Sequence, residues 1–443
     1  MNSLFGTDGV RGVANEFLTP ELAFSLGRAG GHVLSVHGAH RPVLVGRDTR
    51  CSGPMLEAAL CAGLSSIGLV AWKLGIVPTP AVAFLTRHLN AAAGIMISAS
   101  HNPIQDNGIK FFAADGGKLD DALEDEIAAK VAAHESLPRP AGAAVGEILE
   151  RRRVVRSYEH HCVALGRPLG GKTVVVDGAY GSAYDIAPRV LQALGAKVVP
   201  LHCKPDGRRI NVNCGSTDLS TLRAAMAAYP GSVGVAFDGD ADRALFVDER
   251  GGDVSGDHVL AIWAKELAAK GQLPENTIVA TVMSNFGLER ALKDAGVKLL
   301  RTAVGDRYVL DAMHRGGYRI GGEQSGHIID LEANSTGDGI ATAVKLLSLA
   351  ADTTLHQLAS GMRVYPQVLL NVRVADKRRF EDDPRVKAAI ESAGNALKGT
   401  GRILVRPSGT EPLIRIMVEG PDRAQVERLA KSVAEQVAAS ESA

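Results

Sequence analysis

Three aspartates at alternate positions carry the clearest chemical signal in the sequence. The stretch DGDADR (238–243) places Asp238, Asp240 and Asp242 in a turn between two apolar runs that are typical of strands. Carboxylates held this close repel one another, and a bound cation removes that cost. Oxygen ligands without a nearby histidine or cysteine favour magnesium or calcium. We therefore predict a metal site here that leaves positions open for a substrate oxygen or phosphate.

An EF-hand and a metal-free turn are the alternatives for this stretch. In an EF-hand counted from Asp238, Glu249 would stand at position twelve, but position six is Arg243, where that loop requires glycine. The flanking runs VGVAF and ALFVD also favour strands rather than the helices of an EF-hand. The second alternative is a solvated acidic turn without a metal.

A polar loop, SASHNPIQDNGIK (98–110), follows the apolar run AAAGIMI (91–97), which we predict to be a buried strand. Ligands bind beyond strand ends in α/β sheets, so a hydroxyl of this loop is a candidate nucleophile. The residues alone do not choose between Ser98 and Ser100. His101 has the chemistry of a general base, but neighbouring side chains in an extended segment point in different directions.

A loop near the C-terminus, RPSGTEP (406–412), has the composition of a phosphate-binding site. It combines a guanidinium group with two hydroxyls and with backbone amides that a glycine leaves accessible. The residues concerned are Arg406, Ser408, Gly409, Thr410 and, on the next predicted strand, Arg415. A plain hairpin turn is the alternative, because Pro-Ser-Gly is favourable turn chemistry.

The stretch GGEQSGH (321–327) offers a carboxylate, a hydroxyl and an imidazole at alternate positions. In an extended segment Glu323, Ser325 and His327 would share one face, which suits hydrogen bonding to a polyol. The alternative is a glycine-rich turn with a hydrogen-bonded histidine.

Two short motifs are weaker indicators of a binding site. In GTDGVRG (6–12), Arg11 is a candidate anion ligand. In VGDRYV (304–309), Asp306 and Arg307 have complementary charges, so a simple ion pair between them is the alternative to a role in binding.

The spacing of apolar residues predicts the elements that position these loops. Three blocks of roughly 100 residues each alternate strands with helices, which is typical of parallel α/β sheets. From about residue 366 the alternation of apolar and polar residues, together with two helical stretches, predicts a small α+β domain. The predicted domains are 1–153, 154–253, 254–366 and 367–443.

Composition excludes several classes of protein. The 443 residues contain 49 basic and 49 acidic side chains, so neither nucleic acid nor an anionic membrane is expected as the main partner. Five scattered cysteines form no CxxC pair, which argues against a zinc knuckle or a disulfide framework. The sequence has neither a secretory signal nor an apolar run approaching the roughly 18 residues of a membrane span, so we expect a cytoplasmic protein.

The motifs, taken in order, resemble those of the α-D-phosphohexomutases. The matching stretches cover essentially the whole chain and are GTDGVRG, SASHNP with NGIK, DGDADR, VGDRYV, GGEQSGH and RPSGTEP. The first stretch and the GEQSGH loop are most similar to the phosphoglucosamine branch of that family. The resemblance implies an α/β fold of four domains, three related α/β domains with mixed sheets and a smaller α+β C-terminal domain.

The resemblance also implies roles for individual residues. Ser100 matches the serine that carries the phosphoryl group, and a phosphate oxygen on it would complete the magnesium ligands Asp238, Asp240 and Asp242. Substrate contacts are implied for Glu323, Ser325, Asp306, Arg307, Arg406, Ser408, Gly409, Thr410 and Arg415. Proton transfer or charge stabilisation is implied for Lys110, Arg11, Arg243 and His327.

The implied activity is the reversible conversion of glucosamine 6-phosphate to glucosamine 1-phosphate, which supplies UDP-N-acetylglucosamine and cell-wall synthesis. It would use one magnesium ion per subunit, a phosphoserine at Ser100, and a 1,6-bisphosphate of glucosamine or glucose as intermediate or activator. The partner is a small sugar phosphate, and a homodimer is expected from the family. We expect Lys110 to accept the sugar hydroxyl proton, with a pKa lowered by Arg11 and Arg243.

Three further activities are alternatives. They are the same chemistry on mannose or glucose phosphates (phosphomannomutase/phosphoglucomutase), binding of calcium or a sugar phosphate without catalysis, and phosphatase activity. The chain also departs from the family pattern at one point. Many members have DGDGDR, whereas Ala241 replaces the middle glycine here, a change that matters only at a positive φ.

Overall fold

The computed structural model describes residues 4–6, 8–35, 41–377, 379–408 and 412–440. The chain forms two compact units, one made of Met1–Val282 and Leu299–Ser360 and the other of Met283–Lys298 and Gly361–Ala443. Within the described residues, the first unit carries three sheets and the second unit carries one. The domain boundaries predicted near 153, 253 and 366 stay predictions.

The first sheet is mixed, and helices connect its strands. The strands are β1 (Val10–Val13), β2 (Val43–Arg47), β3 (Ala71–Ile76), β4 (Ala93–Ile97), β5 (Asp106–Phe112) and β6 (Ile148–Glu150), and the helices are α1 (Pro20–Ser35), α2 (Gly53–Ser65), α3 (Thr79–His88) and α4 (Asp121–Ala132). In the order β1-β5-β4-β2-β3-β6, strand β5 is antiparallel to β4 and β1, and the other pairs are parallel. The central strand β4 is buried along its whole length, which accounts for its continuous apolar sequence AGIMI.

The second sheet has a similar plan. Its strands are β7 (Thr173–Asp177), β8 (Lys197–Leu201), β9 (Val233–Phe237), β10 (Ala244–Val247) and β11 (Asp253–Val254), and its helices are α5 (Arg156–Ala164), α6 (Ala183–Ala193) and α7 (Ser220–Met226). In the order β11-β10-β9-β7-β8, strand β7 is parallel to both neighbours, and β10 is antiparallel to β9 and β11. Leu222 and Met226 of α7 pack against Val175 and Ala236 of the sheet.

The third sheet is shorter. Its strands are β12 (Thr277–Thr281), β13 (Lys298–Thr302), β14 (Ile320–Gly322) and β15 (Ile328–Asp330), and the helices of this part of the chain are α8 (Gly256–Ala269), α9 (Phe286–Lys293), α10 (Asp306–Gly316), α11 (Gly339–Leu349) and α12 (Leu355–Ala359). In the order β13-β12-β14-β15, strand β14 is parallel to β12 and antiparallel to β15. Helix α9 belongs to the second unit.

The second unit contains an antiparallel sheet covered by helices. The strands are β16 (Gln367–Arg373), β17 (Arg402–Pro407) and β18 (Leu413–Glu419), and the helices are α13 (Arg379–Asp382), α14 (Pro384–Ala396) and α15 (Arg423–Ser440). The order is β16-β18-β17. Val386 of α14 and Val426 and Val433 of α15 form a core with Ile414 and Ile416 of β18.

The same connection in the three mixed sheets carries a predicted functional loop. A buried strand leads into a loop and returns as its antiparallel neighbour, from β4 to β5, from β9 to β10 and from β14 to β15. We call these connections the serine loop (98–105), the acidic loop (238–243) and the GEQSGH turn (322–327). The expected fold class, mixed α/β sheets with a smaller C-terminal α+β domain, is confirmed. None of the described helices is long and apolar enough to span a membrane.

Candidate active site

Ser100 lies in a buried cluster of polar side chains. Its Oγ donates a hydrogen bond to Asp238 Oδ2 at 2.6 Å, whereas the Ser98 hydroxyl donates to Asp48 instead. Only 2% of Ser100 is exposed, and its φ of 52° lies in the left-handed region that non-glycine residues rarely adopt. Backbone strain of this kind persists where the surrounding structure enforces it, often at functional sites. Of the two candidate hydroxyls, Ser100 is therefore the one that faces the acidic loop.

The side chain of His101 lies beside the same hydroxyl. Its Nδ1 is 3.2 Å from Ser100 Oγ, so the expectation that this neighbour in sequence points elsewhere is wrong. That expectation assumed an extended segment, and the left-handed backbone at Ser100 is not extended. Burial, reinforced by the charge of Arg243, lowers the pKa of His101 to about 4. The imidazole is therefore neutral near pH 7.

A buried pair, Arg50 and Asp48, shapes the serine loop. Arg50 donates to the carbonyl oxygens of Ser100 at 2.9 Å, Asn102 at 2.8 Å and Asp106 at 2.9 Å, and its Nε lies 3.0 Å from Asp48 Oδ2. Burial raises the pKa of Asp48, although the Arg50 charge opposes this. Neither residue was predicted from the sequence. Their place just after the parallel strand β2 is the signal that could have found them.

The three aspartates of the acidic loop form a site that a divalent cation fits. Their carboxylate oxygens lie within 4.8 Å of one another, and all three residues are buried. Among the described residues, Asp240 Oδ1 and Asp242 Oδ1 have no hydrogen-bond partner. Burial raises the pKa of Asp238, and the charges of Asp242 and Asp240 raise it further. Clustered carboxylate oxygens, two of them without a described hydrogen-bond partner, are a donor set that suits Mg²⁺.

Close backbone approach joins the acidic loop to the serine loop. A Cβ on Gly239 would lie 2.6 Å from the carbonyl oxygen of Ser100, so a larger residue would force the loops apart. Ala241, which replaces the glycine of the related motif, has a φ of 57°. The departure from the family pattern therefore falls at a left-handed position, where a side chain costs about 1 kcal/mol.

Lys110 of β5 extends into the acidic loop. Its Nζ lies 2.8 Å from Asp8 Oδ2, 3.0 Å from Asp240 Oδ2 and 3.8 Å from Asp242 Oδ2. Burial favours the neutral amine, but the charges of Asp240 and Asp8 outweigh it and raise the pKa of Lys110. Arg11 does lower this pKa, but the expected net lowering is wrong, because the carboxylates outweigh the arginine. Lys110 is held as a cation.

Asp8 and Lys118 enlarge this charged cluster and were not predicted. Asp8 also contacts Arg11 Nη2 at 2.7 Å and Lys118 Nζ at 2.8 Å, and Lys118 in turn contacts Asp306. Although burial opposes ionisation of Asp8, Lys110 and Lys118 hold the pKa of its carboxyl well below the usual range. Asp8 stands in the GTDGVRG motif, three residues before Arg11, and this spacing was the available signal.

The GEQSGH segment is a tight turn. Glu323 N–H donates to His327 O and Gly326 N–H donates to Glu323 O, both at 3.0 Å. The prediction that Glu323, Ser325 and His327 share one face of an extended segment is therefore wrong, because β14 ends before them and the hairpin closes at once. The Glu323 carboxylate accepts a hydrogen bond from Gly305 N–H at 3.2 Å. Ser325 Oγ is buried and has no hydrogen-bond partner within the described part of the chain.

His327 lies between two aspartates. Its Nδ1 is 3.7 Å from Asp242 Oδ2 and its Nε2 is 3.4 Å from Asp306 Oδ2. Burial disfavours the imidazolium, but the two carboxylates outweigh burial and raise the pKa of His327. Arg243, whose backbone forms a β-bridge with His327, places its Nε 3.9 Å from Asp242. Two loops therefore supply positive charge beside the acidic triad.

Asp306 and Arg307 have separate partners. Asp306 contacts Lys118, whereas Arg307 lies 2.6 Å from Asp121 and 3.5 Å from Glu124. The alternative of a simple pair between the two is therefore wrong, since α10 starts at Asp306 and turns the two side chains towards different neighbours. Of the two, Asp306 joins the charged cluster around Asp8.

The predicted phosphate loop belongs to the second unit. Arg406 of β17 stands opposite Arg415 of β18 in the ladder. Burial and the charge of Arg415 lower the pKa of Arg406. Like charges in opposite positions are unfavourable, and a bound anion would relieve their repulsion. Ser408 is buried, and Gly409 and Thr410 lie outside the described residues.

The chain belongs to the phosphoglucomutase/phosphomannomutase family, whose members are isomerases that act as intramolecular phosphotransferases. All four domains of that family match the chain in order. They are alpha/beta/alpha domain I over 2–137, domain II over 160–252, domain III over 255–365 and the C-terminal domain over 369–436. Two similar relatives are named phosphoglucosamine mutase. The one from Moorella thermoacetica is 54% identical over 97% of this chain and 98% of its own, and the one from Thermoanaerobacter sp. is 52% identical over 98% of both chains.

Solved structures share the fold. A phosphoglucomutase/phosphomannomutase family protein from Burkholderia thailandensis superposes with a TM-score of 0.85 at 24% identity, covering 99% of this chain and 98% of its own. N-acetylphosphoglucosamine mutase from Aspergillus fumigatus, in complex with GlcNAc-6P and magnesium, has a TM-score of 0.72 at 18% identity, covering 99% and 96%. A variant of that enzyme in complex with glucose 1,6-bisphosphate has a TM-score of 0.66 at 18% identity, covering 99% and 95%.

Proposed function

We propose that the protein is a phosphoglucosamine mutase that interconverts glucosamine 6-phosphate and glucosamine 1-phosphate. The observation that carries the proposal is the 2.6 Å hydrogen bond from Ser100 Oγ to Asp238 Oδ2, because it sets a nucleophile at the edge of a site suited to Mg²⁺. The relatives at 54% and 52% identity support the choice of substrate, because both have this name.

Ser100 is the proposed carrier of the phosphoryl group. The phosphoryl group passes from Ser100 Oγ to the C1 oxygen of glucosamine 6-phosphate. The Oγ–P bond breaks as the O1–P bond forms, the C1 hydroxyl proton ends on Ser100 Oγ, and a 1,6-bisphosphate results. The bisphosphate then turns round, and Ser100 Oγ takes the phosphoryl group from O6. Ser100 gives up its proton, O6 gains one, and glucosamine 1-phosphate leaves. Asp238, Asp240 and Asp242 would hold Mg²⁺, which offsets negative charge on the phosphoryl group when bound.

Cationic side chains around the triad are proposed to stabilise the transferred group. A lysine held as a cation does not accept a proton from the sugar hydroxyl, so we reassign Lys110 to charge stabilisation, together with Arg11, Arg243 and His327. His101 is neutral near pH 7 and lies 3.2 Å from Ser100 Oγ. A pKa of about 4 makes it a weak base, so its position beside Oγ suits it to relay the Ser100 proton to O6 as that hydroxyl attacks the substrate phosphate, rather than to hold the proton.

Two further groups of residues are proposed to hold the substrate. The buried, unpaired Ser325 Oγ and the Glu323 carboxylate are suited to the sugar hydroxyls and the amino group. Contacts to phosphate or to the sugar are proposed for Asp306, Arg307, Arg406, Ser408, Gly409, Thr410 and Arg415. The opposed guanidinium groups of Arg406 and Arg415 support an anion at that position.

The remaining expectations concern the metal ion, the priming of Ser100, the oligomeric state and the cellular location. We propose one Mg²⁺ per subunit, priming of Ser100 by glucose or glucosamine 1,6-bisphosphate, a homodimer and a cytoplasmic location. The magnesium and bisphosphate complexes of the fungal mutase support the first two of these proposals.

A comparison of substrates tests the proposed function. With Mg²⁺ and a trace of glucose 1,6-bisphosphate, the protein should convert glucosamine 6-phosphate faster than mannose 6-phosphate or glucose 6-phosphate. A higher initial rate on either of the other sugars would assign the protein to phosphomannomutase or phosphoglucomutase activity. Release of inorganic phosphate faster than isomerisation would instead identify a phosphatase.

Replacement of the nucleophile tests the role of Ser100. Ser100→Ala should abolish turnover and should take up no label from ³²P-labelled bisphosphate, because the acceptor oxygen is gone. Ser98→Ala removes a hydroxyl two residues away and should keep both the labelling and a measurable rate. Near-normal turnover by Ser100→Ala in a folded protein would exclude the assignment.

A further inference from the structure

A polar cavity of about 320 Å³ lies in the first unit. The ends of β2 and β3, the segment 152–156 and the start of α6 line it, and none of its described lining residues belongs to the serine loop, the acidic loop or the GEQSGH turn. Its volume is in the range of small-molecule sites. The arginines that line it are Arg47, Arg152, Arg153, Arg156 and Arg189.

Positive charge exceeds negative charge in this cavity. Five arginines and two acids line it, and two of these arginines have carboxylate neighbours outside it, Arg152 with Glu150 at 3.2 Å and Arg47 with Glu57 at 3.6 Å. The two acids, Glu159 and Asp185, lie 2.6 Å and 3.0 Å from Arg189 and are already used. Within the described part of the chain, Arg153 and Arg156 have no ion pair. Their charges are therefore available to a ligand.

A buried hydroxyl at the start of α6 is also without a partner. Ser182 is the N-cap residue of this helix of 11 residues, yet its side chain makes no capping hydrogen bond. The residue is fully buried, it lines the cavity, and its Oγ has no hydrogen-bond partner among the described residues. Leaving a buried hydroxyl unpaired is unfavourable, and a helix N-terminus favours anions. Both features indicate an anionic group at this end of the cavity.

Arg47 adds a second unsatisfied donor to the same cavity. Its Nε is buried and makes no hydrogen bond to the described residues, with the nearest carboxylate, Glu57, 3.6 Å away. A guanidinium group binds phosphate oxygens through parallel N–H donors. The cavity therefore combines a helix N-terminus, a buried hydroxyl and several arginines, which is the donor set of a phosphate site.

We infer that this cavity binds a ligand with two linked phosphates, such as inorganic pyrophosphate or the diphosphate of a nucleotide. The lining offers two groups of donors, Ser182 with Arg47 and Arg153 with Arg156, and so one position for each phosphate of a diphosphate. One phosphate would accept from Ser182 Oγ and Arg47, and the other would lie among Arg153 and Arg156. This site is separate from the proposed mutase site and goes beyond the proposed function.

Calorimetric titration with inorganic pyrophosphate tests the inference. The buffer contains EDTA and no Mg²⁺, so that pyrophosphate is not complexed by the metal and does not bind to the acidic loop through a metal ion. Active-site binding of the probe is weakened with Arg406→Ala, a variant that should keep the proposed pyrophosphate site. In that background Arg153→Ala with Arg156→Ala should weaken binding about tenfold or more, because two charge-assisted contacts are lost.

A charge-matched double variant is the control. Arg87 and Arg151 are exposed residues of the same unit that do not line the cavity, so Arg87→Ala with Arg151→Ala should change the affinity less than about twofold. Equal weakening in both double variants would mean non-specific attraction and would overturn the site. No detectable binding to the Arg406→Ala protein would overturn it as well.

Ser182→Ala separates binding from structure. Since this hydroxyl has no described protein partner, its removal should leave the melting temperature unchanged or higher. Pyrophosphate affinity should fall roughly tenfold through loss of a hydrogen bond to a charged group. An unchanged affinity with a lowered melting temperature would show a structural role and contradict the inference. A nucleoside diphosphate that binds more tightly than pyrophosphate would assign the site to nucleotides, and equal affinities would assign it to the diphosphate alone.

Discussion

Ser100 and Ala241 share an uncommon backbone conformation. Their φ values of 52° and 57° both lie in the left-handed region, and both residues are buried. At Ser100 the conformation turns Oγ towards Asp238 and brings His101 to 3.2 Å, so the strain serves the site. At Ala241 the backbone carbonyl accepts a hydrogen bond from Gly339 N–H at 3.0 Å, a contact that glycine at 241 would make without the steric cost of a Cβ.

Ala241→Gly should therefore stabilise the protein. Relief of the left-handed alanine is worth about 1 kcal/mol, part of which is offset by the greater freedom of glycine in the unfolded chain. The midpoint of urea unfolding should rise, with little change in the mutase rate. Ala236→Gly in the buried strand β9 is the matched control, and it should lower the midpoint because the strand requires no positive φ. A lower midpoint for Ala241→Gly would show that the methyl group packs usefully.

Lys110→Met should reduce kcat by orders of magnitude with a small change in KM. The reason is that a cation 3.0 Å from Asp240 acts on the charge of the transferred group, which matters most in the transition state. Since the pKa of Lys110 is raised, its loss should leave the shape of the pH–rate profile unchanged. Disappearance of a titration from that profile would restore Lys110 as the proton acceptor. Lys118→Met, which removes a cation bound to Asp8, is the comparison.

At the scale of elements, one repeated connection positions the site. The serine loop, the acidic loop and the GEQSGH turn each follow a buried strand and precede its antiparallel partner. The sequence predicts β4 and its loop well, because a continuous apolar run followed by polar residues is typical of a buried strand that ends at a loop. The prediction from the sequence is wrong at the GEQSGH turn, because alternation of polar residues fits both a strand and a short hairpin.

Arg50→Lys tests how the serine loop is held. Arg50 donates to several loop carbonyls while paired to the buried Asp48, and lysine lacks the fork of donors that this requires. We expect a loss of roughly 2 kcal/mol or more in stability and a large loss of kcat. Hydrogen exchange at the amides of 99–106 should increase. Arg41→Lys, which alters a surface contact to Asn90, should change none of these three quantities, and similar exchange rates in both variants would contradict the assigned role.

At the scale of the whole molecule, the site is built from residues that are distant in sequence. Lys110 and Asp240 are 130 residues apart, and Lys118 and Asp306 are 188 apart. Local patterns predict an acidic triad but cannot show which cations meet it, and so Asp8 and Lys118 were missed and the pKa of Lys110 was predicted in the wrong direction. Charge balance across the molecule, rather than any one motif, determines the protonation of these groups.

Cation binding should therefore be measurable as stability of the folded protein. A ligand that binds only the folded state at 100 times its Kd contributes about 2.7 kcal/mol, so Mg²⁺ should raise the temperature of the first unfolding transition relative to EDTA. Asp240→Asn removes one of the three carboxylates and should abolish most of this shift while lowering the mutase rate by orders of magnitude. Asp253→Asn is the control. Asp253 is an exposed residue of β11 that pairs with Arg223 of α7, and its replacement should retain the full shift. The same magnesium-dependent shift in Asp240→Asn and in the unchanged protein would place the cation elsewhere and remove the acidic loop from the proposed mechanism.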